Sequence, residues 1–131
     1  MDVTEISFLA GRLLIGGYFL FNGIVHIVQF KQMVGYTAIH GIPFPKMGVV
    51  VATVLILIGG LGVVLGVYPT ISLYALVLFM VPVTFSMHAF WKITDPNERR
   101  IERVQFLKNM ALLGAILMLL GLETPWPLSL M

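Results

Sequence analysis

Apolar residues fall in four long blocks along this chain, separated by short polar or turn-forming segments. From Met47 to Trp91 there is no Asp, Glu, Lys or Arg. Blocks of this length leave no room for an ordinary soluble core. Lipid cannot solvate open backbone groups, so the pattern reads as helices crossing a bilayer, each needing ~20 residues. It predicts an all-α fold, an integral membrane four-helix bundle with spans over residues 6–30, 48–67, 70–91 and 104–122, in one membrane domain covering 1–131.

The connections differ. The first, residues 31–47, is long enough to hold structure of its own. It contains Gly41-Ile42-Pro43-Phe44-Pro45, a rigid turn before the second span. The second is little more than Tyr68-Pro69, where a proline opens the next helix without losing a helical hydrogen bond. Pro82 lies inside the third span; it should free the Leu78 carbonyl and bend the helix. The third connection, residues 92–103, is the charged one. There Asp95-Pro96 with Glu98 reads as a helix start with a capping box.

Composition and charge sharpen this picture. Hydrophobic residues make up 59% of the 131 and charged ones 11%, against about 25% in a soluble domain. Of the eight Lys and Arg, all except Arg12 lie in or beside connections one and three. The positive-inside rule then puts those connections in the cytoplasm and both termini outside. Charge placed at membrane edges describes topology and argues against nucleic-acid binding. The first segment carries Asp2 and Glu5 instead of a basic start, and its apolar stretch is too long for a cleavable signal. With no cysteine, disulfides, thiol relays and Cys-ligated metals are excluded. Trp91 and Trp126 fall at opposite expected interfaces, the latter lying flat among headgroups.

The polar residues inside the spans are the candidates for chemistry. Asn22 and His26 are one helical turn apart on one face. Arg12 shares that face, ~21 Å from His26 along the axis. Arg12 is read as an interface anchor paired with Glu123, or as the holder of an anionic or quinone-like headgroup. His26, His88 and Asn109 come from three spans at one expected depth. A packed hydrogen-bond network that fixes helix register explains such a cluster. So does a site for a polar-headed, redox-active lipid such as a quinone, because neutral imidazole can donate to a quinone oxygen and move protons. Haem between His26 and His88 is the weaker alternative, since the Val/Leu-rich interior has few small residues to receive the macrocycle. No metal is expected, for want of carboxylates or thiols in the spans. His40 reads as an exposed loop residue. Gly59, Gly62 and Gly66 recur on one face of the second span, with smooth patches at Gly16-Gly17 and Gly114-Ala115, and mark where backbones meet.

Several segments together resemble the DoxX family of small four-span membrane proteins. They are Arg12-Leu13-Leu14 with Phe21-Asn22-Gly23-Ile24-Val25-His26, Gly41-Ile42-Pro43-Phe44-Pro45, Gly59-Gly60 running to Leu65-Gly66, His88-Ala89-Phe90-Trp91, and Phe106-Leu107-Lys108-Asn109-Met110-Ala111-Leu112. The resemblance implies a bundle in the bacterial or archaeal cytoplasmic membrane. Relatives include a subunit of an archaeal thiosulfate:quinone oxidoreductase and a mycobacterial membrane component linked with thiol and superoxide defence. It also implies that any shared site involves Arg12, Asn22, His26, His88 and Asn109. Many members carry a glutamate before the glycine pair of the second span; here Ile56 stands there. The expected function is a membrane subunit of a redox system, at most an oxidoreductase subunit, that binds quinone or a similar carrier and docks a partner oxidoreductase. The alternatives are a structural or assembly protein, and a small-solute transporter acting as a homo-oligomer.

Overall fold

The computed structural model describes residues 1–130. Helix α1 (Val3–Val28) opens on a capping box. The Asp2 carboxylate accepts from the Glu5 amide at 2.8 Å, and Glu5 Oε2 accepts from the Asp2 amide at 3.0 Å. A break at Gln29 turns the chain into a short helix α2 (Phe30–Ile39), the structure that the long first connection holds. Helix α3 (Pro45–Leu65), helix α4 (Pro69–Met87), a 3-10 turn (Phe90–Lys92) and helix α5 (Pro96–Leu120) follow. Helices α1, α3, α4 with its following turn, and α5 are long and apolar enough to cross a membrane.

Proline sets three of the helix starts: Pro45, Pro69 and Pro96 each begin a helix. The residue before a proline is disfavoured in the right-handed helical region. Phe44 and Tyr68 take the left-handed conformation instead, at φ 50° and 44°. Asp95 stays extended, and its side chain accepts from the Glu98 amide at 3.0 Å.

Two helix boundaries differ from the apolar blocks. The third span covers Pro69–Lys92, close to the expected 70–91, but it is not helical throughout: α4 ends at Met87 and His88 caps it. The reason is aromatic packing. Phe90 and Trp91 lie edge-on to Phe106 of α5, with ring centroids 5.4 and 5.5 Å away, and Phe85 meets Phe106 at 5.4 Å. Folding that cluster onto α5 requires the chain to leave the helix. The fourth span was expected from residue 104, but α5 starts at Pro96, where the Asp95 cap places it.

The helices pack in the order α1, α3, α4, α5, with α3 central. Glycine lets α3 sit close to both neighbours. A Cβ on Gly60 would stand 2.9 Å from the Leu20 amide and 3.0 Å from the Gly16 carbonyl; one on Gly59 would strike Leu76. The buried core comprises Phe19, Ile56, Val63, Leu73, Leu76, Met80, Ile116 and Trp126. Ile56 is fully enclosed, so its apolar side chain suits its surroundings; a carboxyl there would face only hydrocarbon. Outward-facing Leu14, Phe21, Ile24, Tyr74, Leu78, Leu117 and Met118 are exposed. An apolar surface this extensive belongs against lipid.

Residues 123–130 overturn two expectations. Trp126 does not lie flat on the outside of the bundle; it is buried in the core, edge-on to Phe8 at 5.5 Å. Arg12 is 3% exposed, and its guanidinium donates to the Pro127 carbonyl at 2.8 Å and the Leu128 carbonyl at 2.9 Å. No ion pair joins it to Glu123, which is exposed; among the described residues the ion pair is His88 with Glu102. The Leu130 amide donates to the Leu65 carbonyl at 3.0 Å. The tail therefore folds back over this end of the bundle, and backbone carbonyls take the role expected of Glu123.

Candidate functional site

A cavity of about 450 Å³ opens in the half of the bundle nearest the charged connection. All five helices contribute, α2 among them: Met33, Tyr36 and Thr37 of that short helix lie along its wall. The structure brings Asn22 and His26 of α1, His88 at the end of α4 and Asn109 of α5 to this one cavity. Arg12 is not on its wall; it sits at the opposite end, under the tail.

The four residues share a cavity without sharing one hydrogen-bond network. Thr53 Oγ1 donates to the Val49 carbonyl at 2.7 Å, so toward His26 it acts as an acceptor. His26 Nδ1–H therefore donates to Thr53 at 3.2 Å, which leaves Nε2 as an acceptor in the neutral ring. This changes the expected chemistry: neutral His26 accepts from a hydroxyl and donates to a carbonyl oxygen only when protonated. Asn22 Nδ2 donates to the Tyr18 carbonyl at 2.8 Å, which leaves its side-chain oxygen available. Asn109 is 6% exposed, and its amide makes no hydrogen bond to the described residues.

His88 has a different partner. Leaving the helix at His88 turns its ring toward α5, where Nδ1–H donates to Glu102 Oε2 at 2.7 Å. Both side chains are about four-fifths buried. The Tyr36 hydroxyl of α2 lies against the same carboxylate. Burial, and secondarily the negative charge of Glu102, raise the Tyr36 pKa above its ordinary value. Sequence alone does not single out Glu102, which stands among the charges of the third connection. Its signal was spacing: Glu102 and Asn109 are seven residues apart, two turns along one face of a helix that the Asp95 cap starts early. Among the described residues no group of three His, Cys, Asp or Glu side chains is placed to hold a metal.

The arrangement can do two things. Toward the bundle centre it offers a polar group a side-chain amide and an imidazole acceptor. Toward the charged end it offers an imidazole, a carboxylate and a phenol in contact, a set able to exchange protons. Four apolar helices around such a cavity define a multi-pass membrane protein with a largely apolar pocket lined by a few polar side chains. The DoxX family model matches residues 7–89, more than half of the chain, and the chain belongs to that family. The matched region holds Asn22, His26 and His88 and stops short of Glu102 and Asn109. Comparison with curated proteins and with solved structures gives no match.

Proposed function

We propose that this protein is the membrane subunit of a redox system. It binds the headgroup of a quinone or similar lipid-soluble carrier in the cavity and docks a partner oxidoreductase at its charged end. One observation carries the reading: Asn109 is more than nine-tenths buried on the cavity wall with its amide unused. The amide keeps its accessible surface on the cavity side, and a carrier's carbonyl oxygen would accept from it. His26 Nε2 accepts the hydroxyl of the reduced carrier, and Asn22 offers its side-chain oxygen beside it. The His88, Glu102 and Tyr36 group exchanges protons with the aqueous side. The cavity wall has no thiol, so the electrons belong to the partner. The basic connections face the cytoplasm and both termini face outward, which places the docking face inside the cell.

The test is purification with native lipid retained, followed by mass and absorbance analysis of bound small molecules. Quinone is expected to copurify, and N109A and H26A to lose most of it while melting as folded proteins. A wild type that retains no quinone and takes none up from added stock would refute the proposal and favour a structural or assembly role.

A further inference from the structure

Lys108 is the one Lys or Arg on the wall of the cavity. Its position is unusual for this chain. Lys92, Arg99, Arg100 and Arg103 lie before the apolar stretch of α5, whereas Lys108 lies within it, beside Asn109. Its ammonium donates to Gln105 Oε1 at 2.8 Å and stands 5.6 Å from the centre of the Tyr18 ring on α1. Both partners are neutral. The nearest carboxylate along its helix is Glu102, six residues or about 9 Å toward the charged end, and that group is engaged by His88. Lys108 thus brings a positive charge, with no acidic partner among the described residues, to the edge of an apolar cavity. Lys108 is itself exposed at the rim, where its charge attracts a ligand that brings a negative one into the cavity.

Resting on the quinone reading above, we propose that the bound headgroup presents an anionic oxygen to Lys108, the ionised ring hydroxyl of a quinonoid lipid. The ammonium holds that oxygen. The neighbouring Asn109 amide donates to the adjacent ring carbonyl. The Tyr18 ring lies beside the ammonium and limits its hydration. Lys108 is then the residue that separates acidic quinonoid heads from neutral ones, and Asn109 the residue that accepts either.

The experiment compares two probes that differ by one charge: an alkylated hydroxynaphthoquinone, ionised at neutral pH, and its methyl ether. Binding to the purified protein in nanodiscs is followed by quenching of intrinsic fluorescence. The wild type is expected to bind the hydroxyquinone about tenfold more tightly than the ether. Lys108→Gln should erase that preference and leave ether binding intact, and Lys108→Arg should keep it. Equal binding of the two probes to wild type overturns the anionic assignment and leaves the quinone reading standing. So does a preference that survives in K108Q. Should K108Q not fold, equal binding by wild type still overturns the assignment, and Lys108→Met carries the second comparison. Failure of both probes to bind removes the quinone reading, and this proposal with it.

Discussion

Arg12 shows why a single residue type was needed. A planar guanidinium presents several donors in a fixed fork, and here two of them reach successive carbonyls, those of Pro127 and Leu128. A lysine ammonium cannot span both in the same geometry. R12K is expected to lower stability by about 2 kcal/mol and R12M by somewhat more, since hydrogen bonds from charged donors contribute about 1.5–3 kcal/mol each. Thermal unfolding in detergent measures this, and limited proteolysis should cut residues 125–130 sooner in both variants. An unchanged melting curve for R12M would show that the contacts contribute nothing. Tyr36 gives a pH signature. Its pKa is raised in the folded protein, so the folded state holds the phenol proton more firmly than the unfolded chain does. The stability it adds is complete below about pH 10 and falls as pH rises through the elevated value. Y36F should remove that alkaline loss. E102Q, which deletes the secondary cause, should bring tyrosinate absorbance up at lower pH than in wild type; no change would mean that burial acts alone. The residues of the cavity were partly legible. Asn22, His26, His88 and Asn109 stood out because polar groups in apolar blocks are rare. Glu102 did not, because a carboxylate among six other charged residues of a connection looks solvated until the helix start at Asp95 is taken literally.

Among elements, α3 sets the architecture, and its glycines do so by what they lack. Gly60 meets the backbone of α1 and Gly59 the side chain of Leu76 on α4. Gly60→Ala would force a methyl into main-chain atoms that cannot turn aside, with an expected loss of about 1–3 kcal/mol. Gly17→Ala and Gly114→Ala enter open space and should leave stability unchanged or slightly raised. Denaturation midpoints of the three variants test this, and a G60A protein as stable as G17A would contradict the close approach. The comparison also marks what periodicity could convey. Gly16 and Gly17 look alike in sequence, yet Gly16 faces Val64 and the Gly60 carbonyl, while Gly17 faces outward. Apolar length located the spans, but it could not say where a helix stops when both sides of the boundary are hydrophobic. The end of α4 at Met87 depends on Phe106, a residue of another helix. The end of α1 near Gln29 was legible, by contrast, because Lys31 and Gln32 interrupt the apolar block just beyond it; the helical state of α2 was not.

At the scale of the whole molecule, charge asymmetry makes the orientation testable. The chain has no cysteine, so single cysteines at Asn97 and Glu123, both exposed, report sidedness against a clean background. An impermeant reagent added to intact cells should label position 123 and spare position 97; the reverse result would invert the topology and move the cavity's proton-exchanging end to the outside. The bundle's stack of helices was readable from the blocks. The tail was not, because Pro125-Trp126-Pro127 has the composition of an interfacial anchor and only the pocket beside Phe8 makes it a core segment. That tail also carries a consequence for biosynthesis. Arg12 enters the membrane with α1, yet its partners lie 115 and 116 residues later in the chain. Until those residues are made, this span carries an unsatisfied cation, which must stay near the headgroups or lean on the insertion machinery. Closure of this end is therefore a late checkpoint: a nascent chain stalled before Trp126 holds all four spans and still displays a charge that quality-control proteases can read.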